Sequence, residues 1–108
     1  MLKKTIVLIE EDRMVASLLS FRLKKENFKV VVFANLSAAT DFLSNKLFDV
    51  IIYSFSSTNF NGLSIIQEID KKNVLNTPVI FLASNSQQVA LIENSTLEIN
   101  NCVLKPVV

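Results

Sequence analysis

Histidine is absent from the 108 residues, which removes imidazole general bases, catalytic triads and histidine metal ligands together. Cysteine occurs once, as Cys102, so no internal disulfide can form. Gly62 is the one glycine, too few for a glycine-rich phosphate loop. Charge of either sign is not in excess: eleven basic residues stand against ten acidic ones, a net +1. That balance lacks the strongly basic surface on which direct nucleic-acid binding relies. No N-terminal apolar run resembles a signal peptide or reaches the length needed to span a bilayer. The expectation is a cytoplasmic protein with no membrane contact and no nucleic-acid contact of its own.

What is present is apolar. The chain is 50% hydrophobic and 19% charged, richer in apolar residues than most soluble domains, which suits a sheet covered on both faces. Residues 1–108 read as a single domain, and a chain of this length buries roughly 65% of its unfolded surface, enough for one core without staples. The stretch from Phe48 to Gly62 organises the rest. Val50 to Tyr53 form a buried-strand run, and the chain then turns polar at Ser54. In open α/β sheets ligands sit outside the carboxyl ends of the strands, so Ser54 to Asn61 is expected to be a rim loop at the functional edge.

Along the chain, strand-like and helix-like patterns alternate. Thr5 to Ile9 predicts a buried strand ending at Glu10, Glu11 and Asp12. From Arg13 to Glu26, Met14, Val15, Leu18, Leu19 and Leu23 recur at helical spacing, and Lys24 and Lys25 suit a helix C-terminus. Lys29 to Phe33 is a second strand, followed by a helix over about Ser37 to Lys46 with Ala39, Phe42, Leu43 and Leu47 on one face. After the third strand, a helix over about Leu63 to Lys72 has either Leu63, Ile66 and Ile69 or Ile65 and Ile69 as its inward stripe. Val79 to Leu82 is a fourth strand, Gln87 to Glu93 a short helix and Cys102 to Leu104 a minimal fifth strand, before Lys105 and Pro106. Right-handed crossovers turn this repeat into a doubly wound five-stranded parallel sheet with helices on both faces. The Ser- and Asn-rich stretches are loops within it rather than domain boundaries.

Four strand ends taken together carry a resemblance. The acids after the first strand, the loop after the third strand with Gly62 beyond it, the small residues after PVIFL and Lys105-Pro106 resemble, in order and spacing, the receiver domain of bacterial response regulators. The resemblance covers nearly the whole chain. It implies a flavodoxin-like, CheY-like sheet with strand order 2-1-3-4-5, in a family that moves phosphate from a kinase histidine to an aspartate with magnesium.

The departures fall on the residues that carry that chemistry. By the resemblance, the phosphoacceptor position is Ser54, the switch hydroxyl position is Ala83 with Ser84 next to it, and the switch aromatic position is Cys102. A carboxylate attacks as an anion, whereas a serine hydroxyl needs a base. Magnesium takes hard oxygen ligands, normally with one or two carboxylates, and Ser54 removes the one that would bridge metal and phosphoryl group. Glu10 and Glu11 stand at the acid pair, but as longer glutamates, and Lys105 is retained. The chain therefore reads as a pseudo-receiver with a degenerate phosphorylation pocket of Glu10, Glu11, Ser54, Ala83 and Lys105, with no catalytic residues, no cofactor, and Glu10 and Glu11 as vestigial metal positions.

Plainer readings stand beside these. Glu10, Glu11 and Asp12 can be a solvated cluster that favours the following helix dipole. Ser54 can be a loop-entry residue bonded to backbone, Cys102 a small buried hydrophobe, and Lys105 a surface lysine, although its place at a strand end beside the acids favours an ion pair in the space of the missing phosphate and metal. Phe55 and Phe60 either form an apolar contact site or fold onto the core. Receivers, by the same resemblance, continue through a fifth helix after Lys-Pro, and here it is missing or truncated. The expected outcome is an uncovered sheet face and self-association, or a chain that is the N-terminal part of a longer regulator. A non-enzymatic signalling module acting on a protein partner or fused output domain is the expected function. The alternative is a phosphate- or ligand-binding domain using Lys105 and Ser54, or an unconventional serine phosphoacceptor.

Overall fold

A computed structural model describes residues 3–45, 47–55, 64, 77–93 and 101–104. Its strands are β1 (Thr5–Ile9), β2 (Lys29–Phe33), β3 (Val50–Ser54), β4 (Val79–Ala83) and β5 (Asn101–Leu104). They form one parallel sheet in the order β2-β1-β3-β4-β5, the expected order for a doubly wound sheet. Helices α1 (Arg13–Lys25), α2 (Leu36–Asn45) and α3 (Ser86–Glu93) connect or follow strands. Of the helix expected over Leu63 to Lys72, only Ser64 lies among the described residues, where it is helical. Phe60, Lys105 and the residues bearing on a fifth helix lie outside them. No described helix is long and apolar enough to cross a membrane.

The sheet sorts side chains by alternation. Ile6, Leu8, Ile52 and Leu82 form one buried cluster, against which Leu19 and Leu23 of α1 pack. Val7, Ile9, Ile51, Val79, Phe81 and Ala83 form the other, with Leu36, Ala39 and Leu43 of α2 and Val89 of α3. Both faces of β1 and β3 are thus covered, which is why their sequences run continuously apolar. Register sets the functional edge: Ile9 lies beside Tyr53, and Ser54 beside Leu82.

α1 is bounded at both ends by local chemistry. Asp12 caps its N-terminus, with Oδ1 accepting from the Met14 and Val15 N–H groups at 2.9 and 3.1 Å. At the other end Asn27 takes φ 70°, its N–H bonds to the Lys24 carbonyl, and the Phe28 N–H bonds to the Leu23 carbonyl. This is a Schellman turn, and Leu23 and Phe28 pack on the same cluster.

Several expectations need correction. Met14 and Leu18 are exposed; the face of α1 that meets the sheet carries Leu19 and Leu23, with the buried Ala16 and Ser20 beside them. Leu47 follows α2 and is exposed rather than sharing its inward face, because α2 stops at Asn45 and the helical period no longer governs it. Ser54 belongs to β3 and is buried, not part of the rim loop. Phe55 folds onto the core, between Tyr53 and the stacked ring of Phe81.

Candidate functional site

The site lies where β1 and β3 end side by side. Glu10 continues the alternation of Ile6 and Leu8, and Ser54 that of Val50 and Ile52, so parity brings both side chains to the α1 face of the sheet. The Ser54 hydroxyl donates to Glu10 Oε1 at 2.5 Å, and the Asp12 N–H donates to Glu10 Oε2 at 3.0 Å. Glu10 is 5% exposed and Ser54 6%. A buried carboxylate needs such donors, and here the hydrogen bond to Glu10 tethers the end of β3 to that of β1.

The three acids therefore separate by role instead of forming a solvated cluster. Glu10 is buried in the site, Glu11 is exposed, and Asp12 caps α1. The preferred simple reading of Ser54, a loop residue bonded to backbone, is corrected as well: its partner is a side chain, because Ser54 ends a strand and points across to the neighbouring one.

The end of β4 adds a second hydrogen-bonded group. Ala83 is fully buried and packs in the cluster with Val79 and Phe81. The hydroxyl nearby is that of Ser84, which donates to the Phe55 carbonyl at 2.7 Å. The Ser84 N–H donates to Gln88 Oε1 at 2.7 Å, and the Gln88 N–H to Asn85 Oδ1 at 2.9 Å. Gln88 is almost wholly buried. This Ser84–Gln88–Asn85 set, which ties the start of α3 to the end of β3, was not anticipated. An Asn three residues ahead of a Gln at a helix start was its only signal, matching a capping pattern.

Cys102 lies on β5 in register with Phe81; its side chain, like Lys105, is outside the described residues. The structure therefore brings together Glu10 and Ser54, holds Glu11 at the rim, and places Ala83 in the core. Among the described residues, no group of three or more His, Cys, Asp or Glu side chains forms a metal cluster. An open groove of about 530 Å³ runs beside the site between α1 and the end of β2, lined by Glu10, Glu11, Arg13, Ser17, Ser20 and Lys24 among others.

Residues 6–108 match the family model described as response regulator receiver domain. Among curated proteins the chain is similar to the nisin biosynthesis regulatory protein NisR of Lactococcus lactis subsp. lactis, 23% identical over 101 residues. That match covers 94% of this chain and 43% of NisR, so the chain spans less than half the length of this curated relative. Among solved structures it is similar to the response regulator TrrA of Thermotoga maritima in complex with Mg²⁺ and BeF. The TM-score is 0.79 at 21% identity, covering 96% of this chain and 88% of that one. It is also similar to HP1043, an orphan response regulator of H. pylori, with TM-score 0.74 at 18% identity, covering 95% and 83%.

Proposed function

The chain belongs to the response regulator receiver domain family, and from that premise we propose that it is an atypical receiver, acting through protein contacts and not regulated by aspartyl phosphorylation. Receiver domains are signalling domains of two-component systems that work on partners or output domains. One observation carries the proposal: Ser54 ends β3, buried, with its hydroxyl committed to Glu10. A neutral hydroxyl in that place neither attacks phosphorus as an anion nor supplies charge to a metal.

The donor set does not fit magnesium either. Both Glu10 oxygens accept hydrogen bonds, and Asp12 Oδ1 is engaged by the first turn of α1. An ion that demands near-ideal octahedral oxygen geometry would have to break these bonds to enter. Ala83 adds no hydroxyl with which a phosphoryl group could pull the β4 end inward. Signalling then depends on the surface the fold presents, with a protein partner or an attached output domain reading it.

The contact between Ser54 and a carboxylate also favours a second reading, in which Glu10 assists Ser54 as an unconventional acceptor. Its near-complete burial opposes this. Intact mass after incubation with magnesium and acetyl phosphate, on the natural chain, Ser54→Ala and Ser54→Asp, decides. The expected result is no phosphoryl adduct on the natural chain. An adduct that disappears in Ser54→Ala establishes serine transfer and overturns the proposal; an adduct on Ser54→Asp alone shows that one substitution removed the activity.

A further inference from the structure

The groove between α1 and β2 is built along one row of the helix. Arg13, Ser17, Ser20 and Lys24 line it, and their spacings of four, three and four residues set them in a single line. Every side chain of that row is a hydrogen-bond donor. Across from it lie Val32, which by strand alternation shares the α1 side of the sheet with Val30, and Ala34 beyond it. β2 ends the sheet, so among the described residues no strand covers this side, and Val32 is 42% exposed. The groove thus sets a row of donors against an apolar wall.

Ser20 is the telling residue. It is only 8% exposed, yet among the described residues no hydrogen bond uses its hydroxyl, and no fully enclosed polar atom there lacks a partner. Its oxygen therefore opens onto the groove it lines. A helical hydroxyl commonly bonds to a carbonyl three or four residues back, as Thr40 does with Leu36 and Ser44 with Asp41. Ser20 does not, which leaves its hydroxyl to whatever fills the groove.

Charge separates the two ends. Glu10, Glu11 and Arg13 stand at the start of α1. Both Glu10 oxygens already accept hydrogen bonds, from the Ser54 hydroxyl and the Asp12 N–H, and Glu11 offsets Arg13, so an anion gains little there. Lys24 stands one turn beyond Ser20, and among the described residues no acid lines that end. In the same last turn Arg22 and Lys25 outweigh Glu26 at the C-cap and the negative end of the helix dipole. Ser17, Ser20 and Lys24 then offer two hydroxyls and one ammonium to a single negative charge. From Ser20 back to Arg13, seven residues of helix leave about 10 Å for an apolar body. We infer that this groove binds a small apolar monocarboxylate, with its carboxylate at Ser17, Ser20 and Lys24 and its body along Ala16, Val32 and Ala34. A volume of about 530 Å³ suits such a molecule, and the open side sets the affinity on the order of 1 mM. Ser54 does not line the groove, so the site stands or falls independently of the phosphoryl-transfer experiment.

The test is an amide ¹H–¹⁵N NMR titration of the 108-residue chain with sodium decanoate to about 10 mM. Decyltrimethylammonium and inorganic phosphate are the comparison ligands, and Ser20→Ala, Lys24→Gln and Arg22→Gln the variants, each first shown to keep the natural spectral dispersion. Decanoate is expected to shift the amides of Ser17, Ser20, Lys24 and Val32 saturably, and the other two ligands to leave them in place. Ser20→Ala and Lys24→Gln should each weaken binding several-fold. Arg22→Gln removes the same charge from the opposite side of α1 and should leave it within about twofold. Absence of a saturable shift overturns the inference and leaves the groove to water. An equal response to decyltrimethylammonium overturns it by showing an unselective apolar patch, and a response to phosphate alone by showing an inorganic-anion site. Binding that Lys24→Gln does not weaken overturns it by placing the carboxylate on another surface.

Discussion

Glu10 and Ser54 meet at the end of two neighbouring strands, and each depends on the other. Removing the Ser54 hydroxyl takes one hydrogen bond from a buried carboxylate, a loss of about 1–3 kcal/mol. Ser54→Ala should therefore lower the unfolding free energy by that amount, read as a lower urea midpoint at unchanged m. Glu10→Leu combined with Ser54→Ala should cost less than the sum of the two single variants, because the charge that needs the donor is then gone. Ser54→Asp faces Glu10 with a second carboxylate, and in metal-free buffer it should unfold at lower urea than the natural chain. A rise in its midpoint on adding magnesium would show that the remaining oxygens still converge. The acids after β1 were visible as a cluster in the sequence, but their division into one buried hydrogen-bond acceptor, one exposed acid and one helix cap was not. Three consecutive residues at a strand-to-helix transition point in three directions, and only the backbone path settles which direction each takes.

At the scale of elements, α1 shows how far a period can be trusted. Apolar residues at three- and four-residue steps correctly announced a helix, yet part of that pattern faces solvent. Periodicity reports that residues share a face; it does not say whether that face meets the sheet. Here Leu19 and Leu23 reach the sheet cluster with the buried Ala16 and Ser20 beside them, and Met14, Leu18 and Phe21 are left outside. The ends of α1 are read more directly. Asp12→Ala removes the cap and should lower stability by about 1 kcal/mol. Asn27 occupies the left-handed region, so Asn27→Ala should cost about 1 kcal/mol and Asn27→Gly little or nothing. Thermal unfolding of the three variants checks both ends of one helix. Phe55→Ala, which empties a fully buried site between Tyr53 and Phe81, should cost about 3–5 kcal/mol.

Across the whole molecule, protection should follow the sheet from centre to edge. β1 and β3 each pair on both sides and are buried by helices or core clusters on both faces, so their amides open only with global unfolding. β2 is an edge strand with half-exposed side chains, and its amides should exchange faster. Hydrogen exchange followed by mass spectrometry reads this order, with Ile6–Leu8 and Ile51–Ile52 the slowest segments. The Ser84–Gln88 group bears on the same scale, since it ties the start of α3 to the carbonyl of Phe55. Ser84→Ala should speed exchange over residues 84–89 while leaving β1 unchanged.

Strand number and the parallel sheet were legible in local sequence, whereas strand order and family came through the resemblance that four strand ends carry together. Buried parallel strands must be continuously apolar, the connections between them must be helical, and crossover handedness leaves few topologies. The absence of aspartate at the end of β3 was equally plain from residue identity alone. What the tertiary structure decided is how neighbouring strands use their ends. Parity and register bring Glu10 to Ser54 across 44 residues, fold Phe55 inward, and send the Ser84 hydroxyl to a carbonyl on another strand. Such pairings depend on which residues of separate strands stand side by side, and the cost or gain of a buried polar group arises only when its neighbours are in place.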